Sequence, residues 1–196
     1  MRLPAFALLA SAVVGLGAEV KPFKWSGDLN VPDPTSVTFD EAGNAYVAST
    51  TRRKAGDLDI REHRLWIPDD VGLTSPADKL AFFQRELAPG KMKSGRGSLK
   101  DHNKDGSVDW KDLTFHQERI YKLTDTDRDG VADKITIFAE GFNSPVSGIA
   151  AGVLYFDGWV YLTAIPDVWR LKDSDGDGVA DVKEVVATGF GGHIAY

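Results

Sequence analysis

Two nine-residue stretches decide the fold of this chain: DTDRDGVAD at residues 125–133 and DSDGDGVAD at residues 173–181. In each, aspartate alternates with another residue over the first five positions, glycine follows, and aspartate closes the stretch. Alternation turns three carboxylates towards one point, and glycine permits the sharp turn that wraps a chain around an ion. Like charges so close repel one another unless a cation lies among them, so the pattern predicts a calcium site in each stretch. The alternative is a solvated turn that is merely rich in aspartate and glycine.

The predicted ligands are the alternating aspartates together with the closing one. They are Asp125, Asp127, Asp129 and Asp133 in the first stretch, and Asp173, Asp175, Asp177 and Asp181 in the second. A helix-flanked EF-hand loop closes instead on a glutamate at its twelfth position. Counted from Asp173, the twelfth residue is Glu184, but counted from Asp125 it is Thr136. Because the twelfth residue of a hairpin loop lies on the outgoing strand, we prefer Asp133 and Asp181 as closing ligands.

A third stretch, DHNKDGSVDWKD at residues 101–112, has suitable residues at the same loop positions. The predicted calcium ligands are Asp101, Asn103, Asp105, Asp109 and Asp112. His102 is not expected to be a ligand, because calcium prefers oxygen donors. The flanking residues are neither clearly paired strands nor helices, so the sequence leaves open whether this loop binds metal.

The first two stretches belong to a repeat of 48 residues. This spacing separates Asp125 from Asp173 and also Gly141 from Gly189. In each copy a β-prone run enters the aspartate-rich stretch and another leaves it, so each stretch is expected to join two strands of a hairpin. A unit of this length with about four short strands is the size of a propeller blade. Residues 36–196 are therefore predicted to form a mainly β fold, an incomplete β-propeller of about three antiparallel four-stranded blades.

Two shorter hairpins are predicted from turn signals. Short apolar runs flank a glycine-containing turn at residues 40–44, and two more flank Asp157-Gly158. Asp-Gly between apolar runs favours a hairpin because both residues tolerate positive φ.

Residues 51–115 lie outside the repeat and are predicted to form an irregular, partly helical insertion. One helix is expected in it, with Ser75 as N-cap and Pro76 at the first helical position, ending before Pro89. Residues 91–100 are basic but carry no aromatic residue among the charges, so nucleic acid is not an expected partner.

The N-terminus predicts export. Arg2 precedes an almost wholly apolar run at residues 3–16, and small residues follow. We expect residues 1–18 to be a signal peptide whose cleavage leaves a periplasmic or extracellular protein without a transmembrane span. The alternative is an uncleaved membrane anchor. Residues 19–35 are then an irregular lead-in.

The composition excludes several functional classes. The 42% hydrophobic and 27% charged residues are typical of a soluble globular protein. The chain has no cysteine, which excludes disulfides, thiolate metal sites and covalent c-type haem attachment within it. Its net charge of −6 says little about partners, because much of the acid lies in loops predicted to hold cations. The four histidines have no local metal spacing, and no catalytic residue is predicted.

Four stretches resemble a known family, the N-terminal propeller of large exported planctomycete and verrucomicrobial proteins described as membrane-bound dehydrogenases. They are FDEAGNAYVAST from Phe39, DIREHRLWIPDD from Asp59, ERIYKLTDTDRDGVADKITIFAEGFNSPVSGIAAGVL from Glu118 and VYLTAIPDVWRLKDSDGDGVADVKEVVATGFG from Val160. That family is distantly similar to soluble quinoprotein glucose and sorbosone dehydrogenases.

The resemblance implies a propeller of about six blades in the full-length parent, often followed by helical-repeat and cytochrome c modules. It also implies oxidation of a sugar or an alcohol, with a quinone cofactor such as pyrroloquinoline quinone (PQQ). In the family the segment with the catalytic base follows the stretch that matches residues 191–196, so that role is not transferred to His193. This chain alone is not expected to bind the quinone, and residues 90–112 depart from the family's pattern.

We therefore expect a calcium-binding N-terminal propeller fragment of an exported dehydrogenase-like protein, or a chain that completes its ring with another chain. Its expected partners are calcium ions and, in the full-length parent, a sugar or alcohol substrate. The alternative is a calcium-stabilised binding or structural module without catalysis.

Overall fold

A computed structural model describes residues 21–53, 58–92 and 99–194. The predicted signal peptide at residues 1–18 lies outside the described residues, as does part of the basic stretch. Within the described ranges, no helix is long and apolar enough to cross a membrane.

The fold is mainly β and contains two four-stranded sheets, each with its strands in chain order. The first sheet consists of β1 (Pro34–Phe39), β2 (Ala45–Ser49), β3 (Glu118–Thr124) and β4 (Lys134–Phe142). The second consists of β5 (Ala150–Phe156), β6 (Trp159–Ala164), β7 (Asp167–Lys172) and β8 (Val182–Thr188). All neighbouring strands are antiparallel.

The hairpins predicted from turn residues are confirmed. The β1–β2 turn is held by Asp40, whose Oδ1 accepts the N–H groups of Ala42 (3.0 Å) and Asn44 (2.8 Å). The β5–β6 turn is Asp157-Gly158, with φ angles of 50° and 76°. Positive φ at both central residues gives the turn a twist that matches the twist of the strands.

The two sheets repeat each other in detail. The β3–β4 register shifts between Ile120 and Tyr121, and the β7–β8 register shifts between Val168 and Trp169, 48 residues later. A bulge at equivalent positions bends both hairpins in the same place. The 48-residue spacing in the sequence is therefore a structural repeat as well.

The insertion between β2 and β3 contains the helices and, in its described part, no strand. It consists of α1 (Ile67–Val71), α2 (Pro76–Glu86) and the 3₁₀ turns Ile60–Glu62, Arg64–Trp66 and Trp110–Thr114. The predicted helix is confirmed as α2, because the Ser75 side chain accepts the Asp78 N–H (3.1 Å) and Pro76 is the first helical residue. The described residues contain two four-stranded sheets, whereas the chain length predicts about three. The difference arises because the insertion uses a large part of the chain without adding a described strand.

Two hydrophobic cores hold this arrangement together. The first joins the sheets through side chains that are almost completely buried, including Ile120 and Phe138 from one sheet and Leu162 and Leu171 from the other. The second lies under the insertion and includes Phe82, Phe83, Leu87, Leu99, Leu113, Val146 and Ile194. Complete burial of side chains of this size contributes about 1.5–3 kcal/mol each relative to the exposed state.

Candidate metal centres

The first aspartate-rich stretch connects β3 to β4, as predicted. The two ends of the loop are joined by a hydrogen bond from the Asp133 N–H to the Thr124 carbonyl (3.0 Å). Asp125 organises the turn from inside, because its Oδ1 accepts the Arg128 N–H (2.7 Å) and its Oδ2 accepts the Gly130 N–H (2.9 Å). Arg128 and Gly130 have φ angles of 63° and 93°. These left-handed residues reverse the chain and return it towards Asp125.

The alternating carboxylates of this loop come together. Asp127 Oδ1 accepts the Asp129 N–H (3.3 Å), and Asp129 Oδ1 accepts the Val131 N–H (2.8 Å). Each of these bonds folds a side chain back onto the backbone two residues ahead, as in an Asx turn. As a result, one carboxylate oxygen each from Asp125, Asp127 and Asp129 lies within 4.8 Å of the others.

The second aspartate-rich stretch, between β7 and β8, has the same geometry. Asp173 accepts the N–H groups of Gly176 (2.7 Å) and Gly178 (2.8 Å). Asp175 Oδ1 accepts the Asp177 N–H (3.1 Å), and the oxygens of all three aspartates again lie within 4.8 Å of one another. We refer to residues 125–133 and 173–181 as the hairpin loops.

The closing aspartates lie outside these groups of three oxygens. Asp133 accepts the N–H of Thr126 (3.0 Å) and its hydroxyl (2.6 Å), and these hydrogen bonds lower the pKa of the Asp133 carboxyl. Asp181 accepts the Ser174 N–H (2.7 Å). Each closing aspartate thus holds the second residue of its loop, and its role as a metal ligand stays a prediction. Glu184 is paired with Arg170 (2.6 Å) across β7 and β8.

Each hairpin loop is also fastened to the preceding part of the chain. The Ala180 N–H donates to the carbonyl of Phe138 in β4 (2.8 Å), so the second loop spans the joint between the sheets. The equivalent residue of the first loop, Ala132, donates to the carbonyl of Trp25 in the lead-in (2.8 Å). An ion that stiffens a hairpin loop would therefore stiffen a joint between successive structural units.

The third predicted loop, residues 101–112 (the Asp101 loop), has the same local conformation without a hairpin. Asp101 Oδ2 accepts the Gly106 N–H (3.1 Å), and Asn103 Oδ1 accepts the Asp105 N–H (2.9 Å). Lys104 and Gly106 have φ angles of 60° and 89°, like the fourth and sixth residues of the first hairpin loop. The Asp101 loop leads into the 3₁₀ turn Trp110–Thr114 and is not a third group of three clustered carboxylates within the described residues.

The clustered carboxylates have an electrostatic cost. Two unit charges 4 Å apart repel by about 1 kcal/mol in water and by about 4 kcal/mol at the effective dielectric constant near a protein surface. Lys122 offsets part of this cost in the second loop, where its Nζ lies 3.8 Å from Asp173 Oδ2. A divalent cation at the centre of each group would attract all three carboxylates and so outweigh their mutual repulsion.

Comparison with known proteins places the chain in a family. A family model described as a domain of unknown function (DUF7133) matches residues 24–194. The chain belongs to this family. The matched range includes both sheets, the insertion and all three aspartate loops. No curated protein matches the chain, and no solved structure matches it.

Sequence reasoning missed a buried carboxylate at the junction of the two sheets of this DUF7133 chain. Glu118, at the start of β3, is 0% exposed. Its Oε1 accepts the Thr50 hydroxyl (2.9 Å) and its Oε2 accepts the Ala150 N–H (2.7 Å), which links the first sheet to β5. Burial raises the pKa of the Glu118 carboxyl, although the hydrogen bonds and the charge of Arg52 oppose the rise. The sequence carries no signal for this residue, because a glutamate at the start of a strand is usually exposed.

A cavity of about 340 Å³ lies between the insertion and the second sheet. Its walls are mainly apolar, with Phe83 and Leu113 on the insertion side and Ile165 at the end of β6. Two buried cationic side chains, Arg52 (1% exposed) and Lys79 (6% exposed), also line it. The cavity was not predicted, because its walls come from segments far apart in the sequence.

Proposed function

We propose that this chain is a calcium-binding scaffold, the N-terminal propeller part of an exported dehydrogenase-like protein. In this proposal, ions in the hairpin loops hold successive four-stranded sheets in a fixed relation. The observation that carries the proposal is the pair of three-carboxylate groups, each with oxygens within 4.8 Å of one another, built by the same hydrogen bonds 48 residues apart.

The chemistry of the donors favours calcium among the common cations. All the donors are carboxylate oxygens on tight turns, and calcium accepts six to eight oxygen ligands in irregular geometry. Magnesium demands a near-ideal octahedron and gives up its waters reluctantly, so it gains less from such a loop. The absence of cysteine from the sequence agrees with a site for a hard cation.

The propeller part of the proposal is supported by the sheets themselves. Each sheet is a four-stranded antiparallel meander, and the two pack against each other through one shared core. Blades of a propeller have this strand order and this contact. The number of blades in the complete ring is inferred from the family resemblance.

The dehydrogenase part rests on the family resemblance and concerns the full-length parent. In that proposal a quinone such as PQQ supplies the oxidising group, and a sugar or an alcohol is the substrate. We assign no quinone ligands and no catalytic group to the described residues of this chain. Its contribution is a rigid, calcium-held part of the ring.

The second candidate function is a calcium-stabilised binding module without catalysis. The cavity between the insertion and the second sheet favours it, because its mainly apolar walls suit a small, largely apolar ligand.

Thermal unfolding of the full chain tests the scaffold proposal. Calcium should raise the melting temperature and EGTA should lower it, since an ion that binds only the native state stabilises it by mass action. Asp127→Ala and Asp175→Ala should each remove part of the calcium effect, whereas the matched control Asp69→Ala, at an exposed carboxylate outside the loops, should keep all of it. An unchanged melting temperature in calcium and EGTA would reject the calcium function.

A separate assay tests the enzymatic part. Dye-linked oxidation of a panel of sugars and alcohols by the full-length parent, with added PQQ, should show turnover. Absence of turnover across the panel would reject the dehydrogenase proposal and favour the binding module, while the calcium result would stand independently.

A further inference from the structure

The Asp101 loop contains buried oxygens that its own fold does not satisfy. Three of its side-chain oxygens, Asp101 Oδ1, Ser107 Oγ and Asp109 Oδ2, are buried without a hydrogen-bond partner. Asp109 is only 1% exposed. A buried polar atom without a partner costs about 1–3 kcal/mol, and more when it carries charge. Each of these three oxygens in one short loop therefore calls for a partner.

The loops are closed in different ways, which explains why Asp109 Oδ2 has no hydrogen-bond partner. In the hairpin loops the ninth residue, Asp133 or Asp181, accepts the N–H of the second residue. In the Asp101 loop the twelfth residue performs this task, because Asp112 Oδ1 accepts the N–H groups of His102 (2.8 Å) and Asn103 (3.2 Å). The ninth residue, Asp109, is thereby released from closing the loop.

The same carboxylate brings the two ends of the loop together. Asp112 Oδ2 accepts the Asp109 N–H (2.9 Å), so the second and ninth residues are held by the two oxygens of one carboxyl group. Asp101 in turn holds Gly106, at the middle of the loop (3.1 Å). Asp112 thus closes residues 102–109 into a ring. Ser107 and Asp109 belong to this ring, and Asp101 is bonded to it through Gly106.

We propose that the Asp101 loop binds a divalent cation of calcium size through Asp101, Ser107 and Asp109, with Asp112 acting as the clasp that shapes the site. Two carboxylates and a hydroxyl are hard oxygen donors, and calcium is the common cation that accepts such a mixed and partly hydrated set. The site extends the calcium-binding function proposed above, but neither hairpin loop contributes to it.

Ion binding at this site would fix the insertion to the rest of the fold. Asp109 Oδ1 accepts the Lys111 N–H (2.8 Å) and so caps the 3₁₀ turn Trp110–Thr114. The buried Leu113 of that turn packs in the core of the insertion, and the Thr114 carbonyl accepts Asn143 Nδ2 (2.6 Å) beyond the end of β4. An ion on Asp109 Oδ2 therefore restrains the residue from which this turn starts.

Ion counting in a background without the hairpin sites tests the proposal. The full chain carrying Asp127→Ala and Asp175→Ala should still bind one calcium ion in isothermal titration. Bound terbium should luminesce on tryptophan excitation, because Trp110 is adjacent to Asp109 in the sequence. Adding Asp109→Asn should abolish both signals. Adding the matched control Asp69→Asn should leave both unchanged.

Two further measurements keep the result interpretable. The amide oxygen introduced by Asp109→Asn can still accept the Lys111 N–H, so the melting temperature in EGTA should not fall. If that variant does not fold, Ser107→Ala, which removes only a hydroxyl, should lower the calcium affinity at least several-fold. An Asp109→Asn variant that binds the same number of ions as its parent, or a Ser107→Ala variant with unchanged affinity, would overturn the proposal.

The outcomes also separate this site from the hairpin sites. If wild-type protein loses an ion on Asp109→Asn but none on Asp127→Ala and Asp175→Ala, the Asp101 site stands and the hairpin sites fall. If the hairpin variant binds no ion at all while wild type does, the Asp101 site is rejected and the hairpin sites stand.

Discussion

Removal of one charge from a hairpin loop, Asp175→Asn, should have opposite effects with and without calcium. The substitution keeps an oxygen that can accept the Asp177 N–H, so the loop retains its turn. It removes a carboxylate whose oxygen lies within 4.8 Å of those of Asp173 and Asp177. Relief of that repulsion, at the lower end of the range because Asp175 is exposed, should stabilise the calcium-free protein by about 1 kcal/mol.

In saturating calcium the sign should reverse. An ion present at a hundredfold excess over its dissociation constant stabilises the native state by about 2.7 kcal/mol per site. Loss of that binding outweighs the relieved repulsion by about 1.7 kcal/mol. For a chain of this size each kcal/mol corresponds to about 2–4 °C. The variant should therefore melt about 2–4 °C above wild type in EGTA and about 3–7 °C below it in calcium.

Differential scanning calorimetry of both proteins in both buffers measures this directly. Asp69→Asn removes an exposed carboxylate outside the loops and should show the same small difference from wild type in both conditions. If Asp175→Asn melts on the same side of wild type with and without calcium, the carboxylates do not share an ion and the loop is a solvated turn.

Substitutions at three other positions probe the fold. Burial raises the pKa of the Glu118 carboxyl, so the folded state holds its proton more tightly, and this stabilisation is lost as pH rises above the unfolded-state pKa of about 4.3. Glu118→Gln should therefore gain stability relative to wild type as pH rises above about 4.3, measured by urea unfolding at a series of pH values, and a pH-independent difference would contradict this. Gly130 has a φ of 93° and open space around its Cβ position, so a substitution there meets backbone strain and no steric clash. Gly130→Ala should lower the free energy of unfolding by about 1–2 kcal/mol, and Gly130→Asn should lower it less, as measured by urea unfolding. Ser75→Ala removes the N-cap of α2 and should cost about 1 kcal/mol, whereas Ser75→Asp, which keeps an acceptor for the cap, should cost little in the same assay.

Features governed by short-range hydrogen bonds were predictable from the sequence. The turn of each aspartate loop depends on bonds between residues two to five positions apart, such as Gly130 N–H to Asp125, and these depend only on residue type and spacing. The cap of α2 and the Asp-Gly turn between β5 and β6 are equally local. The sequence could therefore place these elements without knowledge of the rest of the chain.

Features that join distant segments were not predictable in the same way. Pairing of β2 with β3 brings Val47 opposite Tyr121 across the whole insertion. The buried position of Glu118 depends on β5 lying beside the first sheet, and the cavity depends on how the insertion packs. Such contacts follow from the burial of apolar surface, which is not directional and so leaves no spacing rule in the sequence.

The aspartate loops show both levels. By itself the sequence determined where the three loops are, which residues turn them and that the three alternating carboxylates of each hairpin loop come together, because each loop carries its own hydrogen bonds. It also predicted Asp133 and Asp181 as ligands, and these lie outside the groups of three oxygens. Only the tertiary structure decided that the second hairpin loop spans the joint between the sheets and that Asp112, not Asp109, closes the Asp101 loop. The physical reason is that these hydrogen bonds depend on which acceptor lies within reach of a given N–H once the strands and the insertion have packed.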